Sequence, residues 1–306
     1  MLAVAAIGIV LVFYVCFYCC KAYRLAYENC HPKRAVVSEL EGIPYERNKF
    51  SFVSKGGVTL AAEEWLPNME IRGTIIACHY LGGSKNAIYP YAEPLLKEGF
   101  RVTAFDYPNH GESMDRKGLK YDLEEDMRLF ISKIKERGIH GPYGVMGLSM
   151  GASLALSTAS LCDEVRAVIV DSGPLIFVKE YVDYVLWTKK IKNPIEKWFF
   201  TFFYLYVVGF RRGGRKLRQR IEHYEKLPIL IIHGKRDHTI APRNAEYLYG
   251  RLSKESTKIV LVEGAHHLTN RIVLGMKYDE MIVDFLKKNL WEKTYEEGEN
   301  SENTAR

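Results

Sequence analysis

Six short runs rich in β-branched and aromatic residues punctuate the 306-residue chain: Gly73–Tyr80, Phe100–Tyr107, Tyr143–Leu148, Val165–Asp171, Ile229–His233 and Thr257–Val262. They read as strands buried on both faces. Helical patterns lie between most of them. Leu123, Met127, Phe130, Ile131 and Ile134 form one apolar stripe on a helix whose other face carries Glu124, Glu125, Lys133 and Glu136. Strands alternating with such helices predict an α/β fold with a mostly parallel sheet covered on both sides. Upstream, Lys49–Val53 and Val58–Trp65 flank Lys55-Gly56-Gly57, a hairpin signal. Ligands on sheets of this kind bind at the carboxyl ends of the strands, so the turns there are the place to look for chemistry.

Three of those turns carry it. Gly147-Leu148-Ser149-Met150-Gly151 lies between an apolar strand and the small-residue run Ala152–Leu156. A serine on a sharp strand-to-helix turn is an exposed nucleophile, and glycines on either side let strand and helix approach. The pentapeptide alone is weak in a chain with 24 glycines. A serine hydroxyl also needs a base to take its proton, and the base needs an acid to fix its tautomer. Asp237 follows the apolar run Ile229–Ile232, and His267 follows Ile259–Val262. The chain order Ser149, Asp237, His267 is the one expected when nucleophile, acid and base sit on successive turns of one sheet.

With these landmarks, Cys78-His79-Tyr80-Leu81-Gly82-Gly83-Ser84 resembles an H-G-x-x-G oxyanion loop, and Asp106–Ser113 resembles a D-x-x-G-H-G-x-S turn. Over about Lys49–Leu290 the chain is similar to the α/β-hydrolase fold superfamily, closest to its monoglyceride-lipase and serine-aminopeptidase (S33)-like branch. The resemblance implies a helical lid after the sixth strand, here 174–227, and oxyanion-hole amides from Leu81 and Met150. It also implies no cofactor and no metal. Tyr80 stands where the family has glycine, and Gly264-Ala265-His266-His267 departs from G-x-G-H, with His267 aligned to the base and His266 to a loop position. Asp171 is a reserve position for the acid in some relatives. His79, His110 and His233 read as structural turn residues, and Cys78 as a small buried residue. Serine at the elbow argues against the dehalogenase and epoxide-hydrolase relatives, which need a carboxylate there.

The chain outside this body constrains location. Met1–Cys20 has no charged residue, enough helix for a hydrocarbon core of about 30 Å. It reads as a transmembrane anchor rather than a cleaved signal, because a basic n-region and an A-x-A site are both missing. Lys21, Arg24, Lys33 and Arg34 follow it, which favours a cytoplasmic catalytic domain. Cys16, Cys19 and Cys20 could carry palmitate, although small apolar residues of a membrane helix are the simpler reading. The six cysteines form neither a disulfide framework nor a zinc spacing. Residues 21–48 read as a linker and 292–306 as a disordered polar tail. Within the insertion, Trp198–Phe210 is aromatic and too short to span a bilayer, and Arg211, Arg212, Arg215, Lys216, Arg218 and Arg220 follow it. These suit either a lid packed on the core or a segment at the membrane interface. The formal charge of +6 and one basic run do not point to nucleic acid.

The expectation is a membrane-anchored serine hydrolase acting on small carboxylic or lipid-like acyl esters through an acyl-enzyme. An aminopeptidase or acyltransferase on the same three residues, or a non-catalytic binding protein that keeps the fold, are the alternatives. Substrate and oligomeric state are left open by the sequence.

Overall fold

The computed structural model describes residues 2–34, 43–117, 122–207 and 217–292. Eight strands form one sheet: β1 (Glu46–Val53), β2 (Thr59–Leu66), β3 (Gly73–Cys78), β4 (Phe100–Phe105), β5 (Tyr143–Leu148), β6 (Val165–Asp171), β7 (Ile229–Gly234) and β8 (Thr257–Val262). Their order is β1-β2-β4-β3-β5-β6-β7-β8. The β1–β2 hairpin and the β2–β4 pair are antiparallel, and all other pairs are parallel. Strand order reverses between β3 and β5, so the switch point of the sheet lies beside the carboxyl end of β5.

Alternation along each strand builds two cores. Ile76 and Cys78 of β3, Val145 of β5, and Ile229 and Ile231 of β7 face one layer. Helices α3 (Leu123–Glu136), α4 (Met150–Ala159) and α7 (Arg243–Tyr249) cover it. Ile75 and Ala77, Met146 and Leu148, and Leu230 and Ile232 face the other, under α2 (Tyr89–Lys97) and α8 (Met276–Lys287). Helix α3 shows how local sequence sets an element. Asp122 caps its first turn by accepting from the Glu125 amide at 3.3 Å, acids occupy that turn and lysines the last. Met127, Phe130, Ile131 and Ile134 are buried as the apolar stripe requires.

The insertion after β6 contributes α5 (Val178–Thr188) and α6 (Pro194–Val207). Phe200 and Tyr204 of α6 are buried, whereas Trp198, Phe202 and Tyr206 stack along its exposed side. Helix α6 packs on the N-terminal helix α1, Leu2–Cys30. Its stretch Val4–Asn29 is long and apolar enough to cross a membrane. The helix runs ten residues past the uncharged run, so Lys21–Cys30 are helical rather than linker. Burial explains the extension: Ala22 and Ala26 are fully buried with α5 and α6 side chains, and Lys21 reaches Glu196 at 2.9 Å. Of the basic residues that follow the aromatic run, Arg211, Arg212, Arg215 and Lys216 lie outside the described residues, as do Gly209 and Phe210. Arg220 makes a two-pronged pair with Glu124 of α3 at 2.8 and 3.2 Å. The tail from 293 also lies outside them.

Candidate active site

Ser149 joins β5 to α4 at φ 54° and ψ −113°, a conformation that L-residues rarely adopt. The two flanking glycines make that turn feasible. A Cβ on Gly147 would lie 2.1 Å from the Gly151 carbonyl oxygen, and one on Gly151 would lie 2.2 Å from the Cys78 carbonyl oxygen. Strand end, helix start and the loop after β3 thus meet at backbone contact. The Ser149 amide donates to the Asp171 carbonyl at 2.8 Å, which ties the turn to β6. Ser149 itself is 8% exposed.

The turns after β7 and β8 bring the other two residues to it. Ser149 Oγ and His267 Nε2 are 2.9 Å apart, and His267 Nδ1 and Asp237 Oδ2 are 2.7 Å apart. Asp237 is buried, and its Oδ1 accepts from the Thr239 and Ile240 amides at 2.8 and 2.9 Å. Burial alone would raise its carboxyl. Hydrogen bonds from His233 and His267 and from the Ile240 amide outweigh that and hold it at about 2. An ionised Asp237 can only accept, so His267 Nδ1 carries the proton and Nε2 is left to accept from the serine hydroxyl. His266 is exposed and its amide donates to Thr269 Oγ1.

Leu81 and Met150 flank the same turn. The loop after β3 packs on the start of α4 through the carbonyls of Cys78 and His79. Met150 is the first residue of α4, where amides have no intrahelical partner. Gly82, at φ 80°, and the bond from the Gly83 amide to the Tyr80 carbonyl at 3.0 Å shape the loop into a tight turn. The Tyr80 ring folds back over Gly83, where even a Cβ would touch it at 3.0 Å.

His79 fixes this loop from beneath. Nδ1 donates to the Tyr80 carbonyl at 2.8 Å and Nε2 accepts from the Tyr107 amide at 3.2 Å, which requires the neutral ring. Burial holds its pKa well below the usual histidine value, in agreement. His110 bonds the Pro108 carbonyl at 2.8 Å. Cys78 is buried, and burial pushes its thiol up to about 12, so it offers no competing nucleophile.

Several contributors had no clear sequence signal. His233 Nε2 donates to the Ile240 carbonyl at 2.8 Å and sits 3.4 Å from Asp237 Oδ2, the same oxygen that faces His267. Its spacing of four from Asp237 was the available clue. Asp171 does not reach His267. It is fully buried, accepting from Ser172 Oγ at 2.7 Å, Asn270 Nδ2 at 2.6 Å and Tyr278 Oη at 2.6 Å. Ser172 Oγ in turn accepts from the Leu268 amide at 3.1 Å, so this network grips the loop that presents His267.

The fold and part of the sequence are matched by known proteins. The family model described as serine aminopeptidase, S33, matches residues 69–205. The Pyrococcus furiosus esterase Pf2001 superposes with a TM-score of 0.70 at 21% identity, covering 86% of this chain and 99% of that one. The chain has the α/β-hydrolase fold. Among sequence relatives, the uncharacterized protein YfhR of Escherichia coli K12 is 26% identical, covering 79% of this chain and 81% of its own. A monoacylglycerol lipase of Mycolicibacterium smegmatis is 26% identical over 46% of this chain and 51% of its own. An esterase and a lipase are thus among the proteins similar to this chain.

Proposed function

We propose that the chain is a membrane-anchored serine hydrolase that cleaves acyl esters through an acyl-enzyme. The observation that carries the reading is the unbroken relay from Ser149 Oγ through His267 to Asp237, at 2.9 and 2.7 Å. In this reaction Ser149 Oγ attacks the acyl carbon while its proton passes to His267 Nε2. Asp237 stabilises the imidazolium that results. The oxyanion is held by the amides of Leu81 and Met150, a contribution of about 3 kcal/mol for each such donor. His267 then returns the proton to the leaving alcohol, and a water activated by the same nitrogen releases the acid.

The esterase and lipase among the similar proteins favour an ester over an amide. A serine aminopeptidase, the reading the matched family's description would favour, also needs a carboxylate to receive the substrate ammonium. Of the carboxylates at these strand ends, Asp171 is already engaged by three donors, Asp106 is paired with Lys85 and Glu263 with Lys235. The lipid-like class of ester follows from α1 and its company with the aromatic α6, which together favour a substrate taken from the bilayer.

A fluorophosphonate probe should label the wild-type chain and leave Ser149→Ala unlabelled. Equal labelling of both would sink the assignment. Hydrolysis of p-nitrophenyl esters against aminoacyl amides separates esterase from aminopeptidase, and transfer to added alcohol separates hydrolase from acyltransferase.

A further inference from the structure

The corner between α5 and α6 concentrates unpaired charge beside the membrane-length helix. Lys189, Lys190, Lys192 and Lys197 are all exposed, and none has an ion-pair partner among the described residues. Trp187 and Trp198 stand among them, 75% and 63% exposed. Lys190, Lys192 and Lys197 line an open groove of about 950 Å³, with Leu186 and Ile191 beneath.

The backbone turns here through a left-handed Lys190, φ 53°. The Lys190 amide donates to the Trp187 carbonyl and the Ile191 amide to the Leu186 carbonyl, at 3.0 and 2.9 Å. This is the helix-ending pattern whose left-handed position glycine fills most easily. Lysine here accepts backbone strain, so folding alone does not account for it.

Helix α1 fixes the corner's depth. Asn193 donates to Tyr14 Oη at 2.8 Å, Glu196 pairs with Lys21, and Phe203 meets Tyr23. Partners rise together in number, so α6 runs parallel to α1. Lys21 is the first charged residue after the apolar run, and Tyr14 lies seven residues before it, about 10 Å deeper along the helix. A helix inserted as far as its aromatic turn at Tyr14, Phe17 and Tyr18 therefore carries the corner down to the headgroup layer rather than leaving it in water. Tryptophan suits that layer because its ring is amphipathic, and lysine suits it because a long stem lets the ammonium reach phosphate.

We propose that the α5–α6 corner is a docking surface for the anionic headgroups of the bilayer that α1 enters. The proposal rests on the reading of α1 as a membrane anchor. Lys189, Lys190, Lys192 and Lys197 supply the charge, and Trp187 and Trp198 seat between the headgroups.

The full chain, reconstituted into nanodiscs of phosphatidylcholine with or without phosphatidylglycerol, provides the test, with lipids brominated near the headgroup as quenchers of tryptophan. The expected result is strong quenching in anionic discs, weak quenching in neutral discs, and loss of the anionic increment in high salt. Replacing Trp187 and Trp198 by Phe removes the signal, leaving Trp65 and Trp291. The combined variant Lys189→Gln, Lys190→Gly, Lys192→Gln, Lys197→Gln loses the increment. Unchanged turnover of a short soluble ester shows that it is folded.

Equal quenching in both discs, indifferent to the lysines, overturns the charge assignment. A Val10→Trp reporter on α1, made in the Trp187→Phe, Trp198→Phe background, separates the two readings. If lipid brominated in the acyl chain quenches Val10→Trp while the native pair escapes all quenching, the docking surface is wrong and the anchor stands. If Val10→Trp escapes as well, the anchor itself fails and takes the proposal with it.

Discussion

The strand-end site and the α1–α6 pair are held in opposite ways. At the site every reactive side chain is fixed by more than one independent element. Ser149 is held by a strained turn and a bond to β6, Asp237 by two amides and two histidines, and the His267 loop by Ser172 and Asn270. The contact of α1 with α6 and its approach rests on Ala22, Leu25 and Ala26, one ion pair, the Asn193–Tyr14 hydrogen bond and one aromatic edge. Redundant bonding makes a site rigid enough for chemistry, and an apolar seam with few directional bonds makes a pair whose setting depends on what surrounds it.

Ser149→Ala should have the largest effect, a loss in kcat on the order of 10⁶-fold, leaving the oxyanion hole and binding to supply any residual rate. Asp237→Asn comes next. It keeps the shape but frees His267 to adopt the wrong tautomer, so kcat should fall about 10⁴-fold with little change in KM. Its stability provides a second reading. The native carboxyl lies at about 2, below its ordinary 3.8, so its contribution is present above the unfolded value and disappears as pH falls towards 2. By that shift the contribution is about 2 kcal/mol. Denaturant melts should therefore show the gap between wild type and Asp237→Asn full above about pH 5 and closed near pH 2. A gap independent of pH would mean that the carboxylate is not held as described.

Tyr278→Phe reaches the site one step removed. It deletes one of three donors to buried Asp171 and should lower stability by about 1–3 kcal/mol. Ser172 and Asn270 still grip Asp171, so kcat on a short ester should fall less than about tenfold. A loss as deep as that of Asp237→Asn would place Asp171 inside the relay rather than behind it.

The difference between the regions also decided what could be read from the sequence. Strand and helix have different periods, so the mostly parallel sheet was visible in the β-branched runs and in the stripe from Met127 to Ile134. The turns that bring Ser149, Asp237 and His267 together each follow an apolar strand, which is why their order on the chain was informative. The bracing around Asp171 was hidden because its partners Asn270 and Tyr278 are 99 and 107 residues away. Lys85 gave no warning either. It is buried against Asp106 and Glu112, a placement that burial would forbid without those partners. The extent of α1 was missed for a physical reason: a uniformly apolar run has no period, and the seam that continues the helix is the short set Ala22, Leu25 and Ala26.

That seam permits the mildest test. Ala26 is fully buried between α1 and the insertion, so Ala26→Leu adds volume where none is free. Overpacking of this kind costs about 1–3 kcal/mol locally. The strain should part α1 from α6 and leave the sheet untouched, because neither core beneath the strands includes Ala26. Limited proteolysis should then cut within the insertion faster than in wild type, while turnover of a short soluble ester changes less than about threefold. Hydrolysis of a bilayer-embedded monoacyl ester should suffer more than that. If the soluble ester were lost to the same degree as the embedded one, the site would depend on the seam, and the separation between a rigid site and the α1–α6 pair would collapse.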